Sequence, residues 1–571
     1  MFTRIKKLKT QKTVHEYLQI VESYREEGKP KQRVIATLGR MDRLVERGRL
    51  DGLIESLSKF SRTLEVVKGI REGAIRAEWA KTWGTVVVFE KLWHEVGLGD
   101  LCRSFGDGKR IRYSIERAAF GSVLQRIEKP GSDLSCIRWL RDVYGFCGLS
   151  VQHLYRAMDI VADHKAEVER ELFWQGKGLF DYGLDLVFFD TTSIYFEGEG
   201  APGFCERGFS RDHRPEDKQL VIGVLMSRRG YPISCEFWPG NTTDKKTLTR
   251  AIRTLGERFT LRRVILVCDR GMVSVDNLVE LEEAGLEYIV GIPLRRYVDI
   301  REEVLEDPSP FQEVAPNLGV KEVIHSGLRY IVCQNPRQAE RDRRARQGMV
   351  ERLQKILSSQ GPKALVGNRG YGRFLTMDRR GTRIDPKKIA SEARFDGMFV
   401  LLTNSGLPTP EVATSYKNLW QVERAFSDLK SVMEVRPVFH RNRRRITGHI
   451  FCNFLALYLK IALQKALETK GLKIGWDEIL SDLQAIKAVK LRLNGSCYLL
   501  RTDFQGVAHK VFQAVGAKPP PTLQDVRTQK CNANNFWSPS VWLIMQNYFS
   551  ATAQNESNRL SLEMSVSLAT F

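Results

Sequence analysis

What this chain lacks narrows it first. Its ten cysteines stand singly, with no C-x-x-C pair, which argues against a zinc ribbon and against a disulfide framework. Its nine histidines show no H-x3-5-H spacing. The longest strongly apolar candidate, Ile450 to Leu459, is short and ends at Lys460, so no transmembrane helix is expected. The basic N-terminus (MFTRIKKLKTQK) has no apolar stretch behind it, unlike a secretory signal. Reduced thiols and a cytoplasmic setting follow as the simplest expectation. No internal repeat is visible. Negative charge is also short: 68 Asp and Glu stand against 89 Lys and Arg, a formal net charge of +21. That excess points to a polyanionic partner, nucleic acid first, because each neutralised phosphate releases counterions. A merely basic surface is the plain alternative.

What is present is an ordinary globular balance, 42% hydrophobic and 27% charged over 571 residues. At about 150 residues per domain this is a chain of three or four domains. Residues 1–75 read as a small β unit and a helix. Tyr17 to Arg25 and Gln32 to Leu38 are strands around a turn at Gly28-Lys29-Pro30, and 43–60 is an amphipathic helix. Residues 76–175 are helical, a candidate DNA-contacting region or equally a packing domain. The texture then changes. Strands are predicted at Leu184 to Asp190, Gln219 to Met226, Tyr231 to Phe237, Arg263 to Asp269 and Glu287 to Pro293, with helices at Thr243 to Arg258 and Val273 to Ala284. This is a mixed α/β sheet. Residues 294–395 interrupt it with β-like pieces and a charged helix from Gln338 to Leu357. A strand at Phe399 to Thr403 resumes it, followed by one long helix from Pro410 to Met433 and a buried helix from Gly448 to Thr469. Residues 471–521 are mixed, and 522–571 form a poorly patterned tail.

Asp190 and Asp269 each end an otherwise apolar strand, where α/β sheets tend to bind ligands. Turn or cap roles remain the alternative for both. Tyr416, Glu423 and Lys430 are spaced seven apart, nearly one face of a helix. Leu419, Trp420, Val422, Phe426 and Leu429 supply a packing stripe. A solvated stripe of ordinary charges is the alternative reading of that face.

These residues carry a resemblance. The chain resembles the bacterial insertion-sequence DDE transposases that bear the signature Tyr-x2-Arg-x3-Glu-x6-Lys, here Tyr416, Leu419, Glu423 and Lys430, with Leu419 where the group usually has Arg. Phe189-Asp190-Thr191-Thr192 and Val267-Cys268-Asp269-Arg270-Gly271 are similar to the first two motifs. Pro239-Gly240-Asn241-Thr242-Thr243-Asp244 and Phe439-His440-Arg441 with Arg445, Ile446 and His449 are similar too.

The resemblance implies an α/β RNase H-like catalytic core (176–293 and 396–470) with a β-rich insertion (294–395), preceded by a small N-terminal β unit and an all-α region. It implies Asp190, Asp269 and Glu423 as catalytic acids and metal ligands. Two Mg²⁺ ions suit such a hard-oxygen set, with Mn²⁺ as a substitute. Tyr416, Lys430, Arg424, Arg441, Arg443 and Arg444 are the candidate DNA contacts, and the cluster Arg341, Arg343, Arg344, Arg346 is either that or a solvated helix face. The implied partners are double-stranded DNA, as terminal inverted repeats and target, and a second copy of the chain in the synaptic complex, with no membrane and a nucleoid-associated location. Another RNase H-like nuclease or integrase, or a catalytically decayed DNA-binding protein, are the alternatives. The unpatterned tail suggests read-through past an older stop.

Overall fold

A computed structural model describes residues 2–526, except 10–12, 27–28, 47, 59–74, 109, 177–184, 245, 249–250, 252–263, 273, 295–296, 298–299, 362–368, 379–380 and 494–495. The chain divides into two compact units. One comprises Met1–Lys81, Lys487–Asp503 and Pro520–Lys530. It opens with three antiparallel strands, β1 (Phe2–Lys9), β2 (Val14–Glu26) and β3 (Lys29–Arg40). The basic first strand, Phe2–Lys9, was not expected. It alternates Phe2, Arg4, Lys6 with Thr3, Ile5, Lys7, so its charges obscure a period-2 pattern. The expected 43–60 helix is two, Met41–Glu46 and Arg49–Ser58, separated around Gly48 at φ 59°. The expected helical segment 76–175 instead begins with a strand, β4 (Ile75–Thr82).

The second unit holds the core. Its sheet has nine strands in the order β10 (Gln312–Ala315), β11 (Leu318–His325), β12 (Leu328–Gln334), β15 (Met398–Thr403), β9, β8, β5, β6, β7. The five at one end of that order are β5 (Asp185–Tyr195), β6 (Gln219–Ser227), β7 (Pro232–Pro239), β8 (Val264–Cys268) and β9 (Glu287–Ile292). β5, β6 and β7 pair antiparallel, whereas β8 joins β5 and β9 joins β8 in parallel. This is a mixed α/β core, as expected. The strands read as continuous apolar runs because both faces are covered. Leu186 and Phe188 enter one hydrophobic cluster, Val187 and Phe189 the other.

The segment 294–395 corrects an expectation. Rather than interrupting the sheet, it extends it through β10 (Gln312–Ala315), β11 (Leu318–His325) and β12 (Leu328–Gln334), and β15 (Met398–Thr403) is zipped between β12 and β9. The pairing is antiparallel throughout, so short hairpin turns suffice to add these strands. Only the rest of the segment stands apart. Helix Pro336–Gln360 and the hairpin β13 (Leu375–Asp378) and β14 (Gly381–Ile384) share a small core of Leu353, Phe374 and Leu375.

One face of the main sheet carries a helical layer built around helix Arg443–Thr469, which packs against helices Ile115–Glu128 and Val151–Asp163. By length and composition it could cross a membrane, but 78% of its most apolar stretch is buried in this core. Gly448 is required there: a Cβ would collide with the Met158 carbonyl. The expected helix over 243–258 lies mostly outside the described residues. The first unit closes with β16 (Lys487–Leu493), β17 (Ser496–Arg501) and β18 (Leu523–Asp525), in the order β18-β17-β16-β4.

Candidate active site

Asp190 is not at a strand end as expected. β5 continues to Tyr195 because Thr191, Thr192, Ser193 and Ile194 keep pairing with β6. Asp190 lies where the parallel neighbour β8 stops: Phe189 pairs with Cys268, and Asp269 follows at once. The same parity puts both acids on the sheet face of Phe188, Val267 and Ile289.

Burial pushes the Asp190 carboxyl up to about 6, and the charges of Asp269 and Asp244 push the same way. The Thr191 N–H, which donates to Asp190 Oδ1 at 2.7 Å, and Arg211, 4.0 Å away, offset only part of this. Arg211 is itself shared: it donates to both Asp244 oxygens at 3.0 and 3.1 Å and to Thr191 Oγ1 at 3.0 Å. Thr191 Oγ1 donates in turn to Asp244 at 2.8 Å. Neither Arg211 nor Asp244 was singled out as a site residue. Arg211 sits in the irregular loop between β5 and β6, where no pattern marks it, and Asp244 only ends the motif Pro239-Gly240-Asn241-Thr242-Thr243-Asp244.

The Tyr416 hydroxyl donates to Asp269 Oδ1 at 3.0 Å. Burial and the Asp269 carboxylate both raise the tyrosine's pKa, so it stays protonated. It reaches the acid because β9 carries Gly291, whose Cβ would strike that hydroxyl. The expected single helix from Pro410 to Met433 is interrupted. Helix Thr409–Lys417 gives way to Trp420–Ser427 and then to a π-helical turn, Asp428–Val432. At the junction Leu419, Gln421 and Val422 donate to carbonyls three residues back, and Met433 to one five back. The tightening and then widening break the regular helical turn on which a seven-residue spacing relies.

Glu423 is exposed and has no hydrogen bond or ion pair among the described residues. Lys430 Nζ bonds Asp212 at 3.0 Å, and Arg436 pairs with the same acid. Tyr416 and Lys430, expected as DNA contacts, are thus occupied by protein carboxylates. Trp420, expected in the packing stripe, is 50% exposed, whereas Leu419, Val422, Phe426 and Leu429 are buried. Arg424 and Arg441 are exposed and unpaired among the described residues. Arg443 lies over the Phe204 ring at 4.6 Å, and Arg444 is paired with Asp163. In the other basic cluster Arg343 and Arg344 pair with Glu340, and Arg346 with Asp396, which favours a solvated helix face.

The carboxylates suit a hard divalent ion in donor chemistry, and a cation would offset both the burial and the neighbouring negative charge that raise Asp190. A different group lies closer together. Among the described residues, the ligand atoms of Asp133, His440 and His449 all fall within 4.8 Å of one another. It does not fit a metal. Buried Arg126 donates to His449 Nδ1 at 3.2 Å and lies 3.5 Å from Asp133, and His449 Nε2 donates to the Val435 carbonyl at 3.3 Å. Both ring nitrogens of His449 are used, and a fixed guanidinium holds the centre.

Two family models match: the N-terminal domain of IS1634 family transposases over residues 3–68, and the transposase DDE domain over residues 181–459. The chain belongs to the insertion-sequence DDE transposases. The DDE match spans β5 through most of helix Arg443–Thr469, and so contains Asp190, Asp269 and Glu423. A curated relative, the transposase for insertion sequence element IS231E of Bacillus thuringiensis subsp. finitimus, is 25% identical over 229 residues. That match covers 39% of this chain and spans 45% of the relative's length. Among solved structures, a piggyBac transposase synaptic complex with hairpin DNA is similar over 70% of this chain and 79% of its own, at 11% identity and a TM-score of 0.34. The Drosophila P element transposase strand transfer complex is similar over 66% of this chain and 86% of its own, at 12% identity and a TM-score of 0.19.

Proposed function

We propose that this DDE transposase cleaves double-stranded DNA at the terminal inverted repeats of an insertion sequence and joins the freed 3′-hydroxyl ends to target DNA. The observation that carries the reading is the meeting of Asp190 and Asp269 on one sheet face, where burial, with a smaller push from the Asp269 and Asp244 charges, raises Asp190 to about 6. Two divalent ions, Mg²⁺ or Mn²⁺, would neutralise charge on the attacking and leaving oxygens of the phosphodiester. Asp190 and Asp269 would hold them, and Glu423, free of other partners, would supply the third carboxylate. The Thr191 N–H and the Tyr416 hydroxyl each fix one oxygen of an aspartate and leave the other for ligation. Arg424, Arg441 and Arg443 would take backbone phosphates, positioning DNA without reading it. Lys430 and Arg444 would first have to exchange Asp212 and Asp163 for phosphate. A homodimer would bring two ends together.

The test is strand cleavage of a labelled element end in Mg²⁺. Asp190→Ala, Asp269→Ala and Glu423→Ala are expected to abolish it while end binding persists. A variant that cuts normally removes that residue from the site. Asp244→Asn run alongside decides the third acid: its loss of cleavage, with Glu423→Ala still cutting, would put Asp244 in that place.

A further inference from the structure

A strongly basic cavity lies away from the carboxylates, in the helical layer. It is an open groove of about 430 Å³ whose walls include Arg110, Arg112, Tyr113, His153, Arg156 and Arg444. Arg444 is paired with Asp163. The one acid in the groove wall, Asp159, is paired with Arg445 at 2.6 Å. Arg110, Arg112 and Arg156 have no partner among the described residues, so the groove carries uncompensated positive charge. Two neutral donors add to it. The Ser150 N–H donates to His153 Nδ1 at 3.2 Å, which places the proton of a neutral ring on Nε2, where it is free to donate. The Tyr113 hydroxyl is buried without a hydrogen-bond partner.

We propose that this groove binds the phosphodiester backbone of duplex DNA without regard to sequence, as a second DNA contact separate from the acids. The proposal rests on the reading of the chain as a DNA-acting enzyme. Guanidinium forks match phosphate oxygens in shape as well as charge. Tyr113 and His153 stack on each other with centroids 4.3 Å apart and planes 6° apart, so each ring spends one face on the other. Three guanidiniums without a partner among the described residues, beside one stacked aromatic pair, favour a phosphate backbone over a single nucleotide.

The full chain is titrated with a duplex of arbitrary sequence, without divalent ions so that nothing is cut, across about 50 to 300 mM salt. Each lost phosphate contact should reduce the log–log salt slope by about 0.9. The triple variant Arg110→Ala, Arg112→Ala, Arg156→Ala should therefore show a slope smaller by about 2 to 3, and binding weakened by about 10-fold or more at 100 mM salt. Arg112→Glu alone, at an exposed position, should weaken binding in the same direction with an unchanged melting temperature. Unchanged slopes in folded variants overturn the groove and leave the active-site reading standing. A wild-type chain that binds no duplex overturns both. Inorganic pyrophosphate binding that these variants lose, with duplex binding intact, would assign the groove to a free anion and overturn the proposal.

Discussion

Asp190 and Asp269 are 79 positions apart in the numbering, yet the sequence marks both, because an acid beside an apolar run is a local signal. Their partners were not legible. The Tyr416 hydroxyl reaches Asp269 from 147 residues away, and Arg211 joins Asp244 from a loop without periodicity. Tyr416→Phe should lower single-turnover cleavage by about 10-fold, the equivalent of one hydrogen bond to a charged acceptor, with DNA binding retained. Gly291→Ala should be worse, since its Cβ meets the hydroxyl. Adding Tyr416→Phe to Gly291→Ala removes the atom first struck, so the double variant should regain activity over Gly291→Ala alone. If it does not, the close approach of β9 is not what positions Tyr416.

At the level of elements, patterns of period 2 and 3.6 located β6, β7, β9 and helix Arg443–Thr469 closely. They failed where geometry changes within one element. A seven-residue spacing implies one face only for a regular helix, and the tightened turn at Leu419 breaks that premise. They also missed that hairpins from 312–334 complete the main sheet, because strand pairing leaves no mark on either strand alone. Helix Arg443–Thr469 is tied to its neighbours through His449, which burial and nearby Arg126 push down to about 3. Its folded pKa is depressed, so the unfolded chain binds the extra proton. This stability is therefore full above the unfolded value near 6.5 and is lost as pH falls towards about 3. Between pH 6.5 and 5 the loss should be about 2 kcal/mol. Urea denaturation across that range should show a steeper decline for wild type than for His449→Gln. Equal slopes would mean that His449 is not the group responsible.

Across the whole molecule, the structure moves one boundary. The tail was expected from 522, yet Leu523–Asp525 forms β18, pairing with Tyr498, Leu499 and Leu500 of β17, and the Val526 N–H donates to the Cys497 carbonyl at 2.8 Å. A chain ending at Val526 should cleave DNA as the full chain does. One ending at Thr522 should melt lower, because it leaves the β17 edge unpaired. Lost cleavage after the Val526 stop would give the segment 527–571 a role and sink the read-through explanation.

The sequence by itself determined the apolar strands, the buried helix, the acids placed beside strands and the positive excess, since each depends on side-chain type and local period. Only the tertiary structure decided which charges are spent on each other. Lys430 and Arg444 are paired with acids, whereas Arg110, Arg112 and Arg156, around a groove, have no partner among the described residues. The reason is physical: a charge acts over the few ångströms that separate it from its neighbours in space, and those neighbours lie hundreds of positions away along the chain.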